Sequence, residues 1–135
     1  MPLVADHMTR SLLTVSAEAT LGEAASQMTA RGVGAVVVLE GEAIAAILTE
    51  RDVMKAVAAG KDGSASVADW MTSHPDTIEP TDTTDHAASL MILGGFRHLP
   101  VIESGRIWGV VSRSDFMGME IDRLDEEDHL WECIR

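Results

Sequence analysis

The chain has 135 residues, 46% hydrophobic and 24% charged, with four prolines and no low-complexity tract, so it is globular: one domain or two very small ones. Ten Lys plus Arg against 22 Asp plus Glu give a net charge of −12, a field that repels phosphate backbones and argues against nucleic acid as a partner. The single cysteine, Cys133, excludes an internal disulfide framework; apolar runs such as Ala35 to Leu39 are strand-sized, far short of the roughly 18 residues of a membrane span. Met1-Pro2-Leu3-Val4-Ala5-Asp6 carries no basic region followed by an apolar one, so no secretion signal is expected and the default compartment is the cytoplasm.

A repeat organises the elements. Positions 4 to 54 match positions 67 to 117 at 17 of 51 places without a gap, an offset of 63. Val4-Ala5-Asp6-His7-Met8-Thr9 returns as Val67-Ala68-Asp69-Trp70-Met71-Thr72. After each start comes a short extended stretch, Thr14-Val15 and Thr77-Ile78. Leu21, Ala24, Ala25 and Met28 then fall at i, i+3, i+4 and i+7, one stripe of a helix, and Thr20 with Glu23 is a capping box that would start it. Its counterpart, Thr83 with His86, lacks the acid. Gly32 and Gly95 supply helix stops.

Two β-branched runs follow, Ala35 to Leu39 and Ala43 to Leu48, at hairpin spacing, with His98 to Ile102 and Arg106 to Val111 in the second copy. A second helix begins near Glu50 and near Arg113. The fold class is therefore α/β (α+β): two tandem β-α-β-β-α units, residues 4–60 and 67–121, joined by the linker Gly60 to Ser66. A unit of that length buries only about 60% of its surface alone, so the two are expected to pack through their sheets as one pseudo-twofold module. Residues 122–135 form an acidic tail in which Leu124, Leu130, Trp131 and Ile134 suggest a closing amphipathic helix.

The residues able to carry chemistry sit where strand meets helix. Thr49-Glu50-Arg51-Asp52 and Ser112-Arg113-Ser114-Asp115 both read as helix caps, in which a hydroxyl and a carboxylate satisfy orphan N–H groups. The same carboxylates can also accept hydroxyls of a ribose, helped by Thr49 and Ser112, and the two roles can coexist. In Phe96-Arg97-His98-Leu99-Pro100-Val101, Arg97 can fork two donors onto a phosphate and His98 can add a third; equally, two polar residues can punctuate a loop-to-strand junction. Copy one has Gly34-Ala35 at those positions, and its comparable cation is Arg51, where copy two carries Ser114. The five histidines show no metal-ligand spacing, and no nucleophile is paired with a base, so neither a metal site nor catalysis is expected.

The doubled unit, Val-x-Asp-x-Met-Thr at each start, the two strand-end motifs and Arg97-His98-Leu99-Pro100-Val101 together resemble a tandem pair of cystathionine-β-synthase (CBS) domains, the Bateman module, over residues 4 to about 121. The resemblance implies a regulatory module, with no required cofactor, that binds an adenosine-containing ligand: AMP, ADP, ATP, S-adenosylmethionine or NAD(H). It implies that Asp52 and Asp115 hold ribose with Thr49 and Ser112 in support, that adenine lies in an apolar slot near Thr14-Val15, Thr77-Ile78 and Pro100-Val101, and that Arg97 and His98 meet phosphates. It further implies a homodimer that signals to an effector protein; the amphipathic tail, outside the resemblance, is expected to cap that dimer or dock a partner. A ligand-free dimerisation scaffold is the alternative, and a nucleotide hydrolase a more distant one.

Overall fold

The computed structural model describes residues 2–10 and 12–116. The acidic tail, 122–135, with Cys133 and the expected closing helix, lies outside the described residues. In chain order, Thr14–Val15 forms β1, Leu21–Arg31 α1, Ala35–Glu40 β2, Ala43–Thr49 β3 and Glu50–Ala58 α2. The second copy gives Val67–Trp70 as α3, Thr72–Ser73 as β4, Thr84–Gly94 as α4, His98–Glu103 as β5 and Arg106–Ser112 as β6. 3-10 turns cover Val4–Asp6 and Arg113–Phe116. The class is mixed α+β, as the changing periodicity predicts.

Local chemistry sets the boundaries. The Thr20 hydroxyl accepts the Glu23 N–H at 3.1 Å and Glu23 accepts the Thr20 N–H in return, the reciprocal box that starts α1. Thr83 caps α4 through the His86 N–H alone, 3.2 Å, because position 86 has no acid to return the bond. Both helices end on a left-handed glycine, Gly32 at φ +67° and Gly95 at φ +73°. The linker is more than a spacer: the Gly63 and Ala65 carbonyls accept the N–H groups of Gly22 and Leu21 at 2.9 and 2.8 Å, satisfying donors that the first turn of α1 leaves open. Within it, the Ser64 hydroxyl and then its N–H bind the Asp62 carboxylate and hold that carboxyl below its usual range.

The chain divides into two compact units whose limits cut across the repeat. One is Ser11–Pro75; the other joins residues up to Arg10 with those from Asp76 onward. In the first, the strands run β1-β2-β3-β4, with β1 parallel to β2 and the other pairs antiparallel. In the second, β5 and β6 form an antiparallel pair, extended by an Ile78 bridge to Val101 and a Thr9 bridge to Val110. Each start segment thus finishes the sheet of the other repeat. Val67 and Ala68 donate to Ala19 and Ala17, while Val4 and Ala5 donate to Asp82 and Pro80.

Three elements differ from the sequence expectation. β4 was not foreseen, since Met71-Thr72-Ser73 is too short and polar to announce a strand; it exists because the outer edge of β3 needs partners. The stretch Thr77-Ile78 contracts to a single bridge. In the first unit Val37 donates its N–H to Leu13, but the matching residue in β5 is Pro100, which has no N–H to give. The helix expected from Arg113 is a 3-10 turn as far as the described residues run.

Each unit has its own core. In one, Val15, Leu21, Ala24, Met28, Val36, Val38 and Leu48 pack with Ala46, Ala56 and Val67. In the other, Val4, Ile78, Ala87, Ala88, Met91, Leu99, Val101 and Val111 do so. Val36, Val37 and Val38 are all at most 1% exposed, so β2 is buried on both faces, as its unbroken apolar run implies. At the position of Leu21 the second copy has Thr84, buried to 1% exposure with a hydroxyl that finds no hydrogen-bond partner among the described residues. Replacing that hydroxyl by a methyl in Thr84→Val should raise stability by about 1 kcal/mol, seen as a higher urea midpoint at unchanged slope.

Candidate functional site

The strand-to-helix junctions are built alike in the two units. The first residue after β3, Glu50, donates its N–H to Gly34 at 2.9 Å, and the first after β6, Arg113, donates to Arg97 at 2.9 Å. This bond ties the loop entering the middle strand to the helical turn leaving its neighbour. Because it uses only backbone atoms, the side chain at the accepting position is free to vary, glycine in one unit and arginine in the other.

In the unit ending the chain, His98 lies opposite Ser112 in the ladder, so Arg97, His98, Ser112, Ser114 and Asp115 come together at one end of the β5–β6 pair. The Asp115 Oδ2 accepts the Ser112 N–H at 2.7 Å and its hydroxyl at 3.2 Å, and the Ser112 and Ser114 hydroxyls lie 2.8 Å apart. Arg97 and Ser114 are exposed, while His98, Ser112 and Asp115 are half-buried. Thr77, Ile78, Pro100 and Val101 form a second group at the Ile78–Val101 bridge, where Ile78 donates to Pro100 at 3.0 Å. Val101 stands three residues along β5 from His98, roughly 10 Å. Ile78, Pro100 and Val101 are buried, Ile78 and Val101 within the core of the unit, and Thr77 is the exposed member of the group.

Phe96 sets up the approach to Arg97. Its N–H donates to Met91 at 3.1 Å, and its ring lies so close to Gly94 that a Cβ there would come within 2.2 Å of a ring carbon. The glycine at 94 is what lets the aromatic ring pack against the core beside the arginine.

The junction in the other unit shares the frame and differs in its electrostatics. Thr49 and Asp52 form a reciprocal capping box, 3.0 and 3.2 Å, with Asp52 only 7% exposed. Arg51 is exposed beside it, and Gly34-Ala35 offers no side-chain donor. Thr14 and Val15 pair with Val37 and Val38, the counterparts of Pro100 and Val101. Sequence reasoning missed Thr72, whose hydroxyl lies 3.2 Å from both oxygens of Asp52. The available signal was the Met-Thr that closes each repeat start, which is brought to the outer edge of β3 through the pairing of Thr72 with Ile47.

Among the described residues no group of three His, Cys, Asp or Glu side chains could hold a metal ion, and no helix is long and apolar enough to cross a membrane.

Comparison with known proteins places these features. The CBS domain family model matches residues 4–59 and again 67–121. The CBS domain-containing protein YhcV of Bacillus subtilis is 34% identical over 116 residues, covering 85% of this chain and 83% of that one. The crystal structure of a CBS-domain containing protein from Agrobacterium tumefaciens has 38% identity and a TM-score of 0.78, covering 84% of this chain and 94% of its own. A CBS domain protein from Pyrobaculum aerophilum, solved in complex with AMP, has 25% identity and a TM-score of 0.81 over 93% of this chain and 98% of its own.

The capping role of the motif has its own test. Thr49→Ala should cost about 1 kcal/mol through loss of the α2 cap, measured by denaturant unfolding.

Proposed function

The chain belongs to the CBS domain family, a tandem pair of its domains, and from that premise we propose that it is a regulatory, non-catalytic module that binds an adenosine-containing ligand at the Asp115 junction. The observation that carries this reading is the gathering of a half-buried carboxylate, two serine hydroxyls, a histidine and an exposed arginine at one strand end, with the apolar Ile78–Val101 bridge about 10 Å along the same strand. A nucleotide calls for acceptors for its ribose, cationic donors for its phosphate and apolar contact for its base. Asp115 accepts ribose hydroxyls while Ser112 fixes the carboxylate, Arg97 and His98 meet phosphate, and the base lies toward Thr77, Ile78, Pro100 and Val101. The AMP complex of the Pyrobaculum aerophilum relative supports the ligand class.

The module works as a homodimer that hands its signal to an effector protein by population shift, ligand favouring one arrangement that the partner reads. Met54 and Val57, 64% and 65% exposed and one turn apart on α2, provide apolar surface that a second chain would cover. Its site of action is the cytoplasm.

Thermal unfolding against AMP, ADP, ATP, S-adenosylmethionine and NADH, with GTP as control, tests the reading. A ligand at 100 times its Kd adds about 2.7 kcal/mol, a clear rise in Tm. At least one adenine ligand should give that rise selectively, and Asp115→Ala should abolish it; no shift with any of them favours a ligand-free scaffold. Arg97→Ala should weaken a phosphate-bearing ligand by about 1.5–3 kcal/mol and leave adenosine nearly unchanged. Equal losses for both ligands would remove Arg97 from phosphate recognition.

A further inference from the structure

The two strand-end aspartates are not in the same state. Asp52 is 7% exposed, its Oδ2 accepts the Thr49 N–H at 3.0 Å, and the Thr72 hydroxyl lies 3.2 Å from each of its oxygens. A threonine hydroxyl carries one proton, so two equal distances describe a single donation shared across the carboxylate. A ribose diol gripped by a carboxylate places its two hydroxyls on those same two oxygens. Thr72 already stands there. It reaches the place through β4, where it pairs with Ile47 on the outer edge of β3.

The other unit has the same backbone and a different outcome. Thr9 pairs with Val110, the repeat equivalent of Ile47. Yet among the described residues the hydrogen bonds of Asp115 come from Ser112, both onto Oδ2.

We infer that Thr72 is a resident hydroxyl that closes Asp52 to diols, so that each chain presents one open nucleoside site, at Asp115, and Thr72 sets the ligand stoichiometry. This rests on the adenosine reading of the Asp115 junction for its ligand, though the Thr72–Asp52 contact does not.

Two measurements on the full chain separate the claims. The first is a double-mutant cycle in urea without ligand, using Thr72→Ala and Asp52→Asn. The double variant should lose less stability than the two single losses summed; strict additivity overturns the contact whether or not any ligand binds. The second is an equilibrium titration with AMP. Wild type should saturate at one AMP per chain, Thr72→Ala at two, and Thr72→Ser, which keeps the hydroxyl, at one. Two per chain in wild type, or one in Thr72→Ala, overturns the closure. AMP taken up by none of the three overturns the closure, while a non-additive cycle would still uphold the contact and a response to another adenine ligand would still uphold the nucleotide reading.

Discussion

The outer edge of each central hairpin is the constraint on which the rest of the molecule depends. β3 and β6 would otherwise present rows of unpaired N–H and C=O groups, and a two-stranded hairpin is marginal in water. The chain closes each edge with the start of the other repeat: Thr72–Ser73 on β3 and Thr9 on β6. Val67 and Val4, each fully buried, anchor those segments in the core they complete. This exchange makes Val-x-Asp-x-Met-Thr a structural signature before it is a functional one. The valine is core, the half-buried methionine packs beside it, and the threonine backbone pairs with the strand edge.

What the sequence shows is set by how local the cause is. Thr20 with Glu23, Gly32 and the stripe Leu21, Ala24 and Met28 fix α1 from residues within one or two turns, and all of them act as their spacing implies. The hairpins are equally legible: Ser104 and Gly105, both at positive φ, make the tight turn between β5 and β6, and Gly41 alone does so between β2 and β3. β4 and Thr72 were hidden because their cause lies far away in the chain, at Ile47 and Asp52. Pro100 was legible as a strand-edge residue, but its effect fell on Thr77-Ile78, which it deprived of a bond. At the candidate site, Asp52, Asp115, Thr49 and Ser112 could be named from one repeated motif. The difference between the two carboxylates could not, because it comes from a partner across the sheet.

The duplication keeps backbone bonds and lets side chains diverge. Glu50 to Gly34 and Arg113 to Arg97 are the same bond in two settings, as are Leu21 to Ala65 and Thr84 to Pro2. A backbone bond specifies a conformation without specifying a residue, so one copy can gain an arginine at a junction while the other gains a glycine. Leu21 against Thr84 shows the reverse side of this freedom. The frame tolerates a buried hydroxyl with no described partner, because one unsatisfied group is small against a full core.

The exchange of start segments also orders assembly on the ribosome. Ser11–Pro75 is continuous in the chain, so its hairpin, helices and edge strand can close as soon as Pro75 has emerged. The other unit needs Val4 to meet Asp82 and Thr9 to meet Val110, so the first ten residues wait, with a core valine exposed, until β6 has been made. Its high contact order makes it the slower half to form. A cut in the linker would not yield two natural halves: it would leave one fragment with an N-terminal segment that has nowhere to dock and the other with a strand edge uncovered.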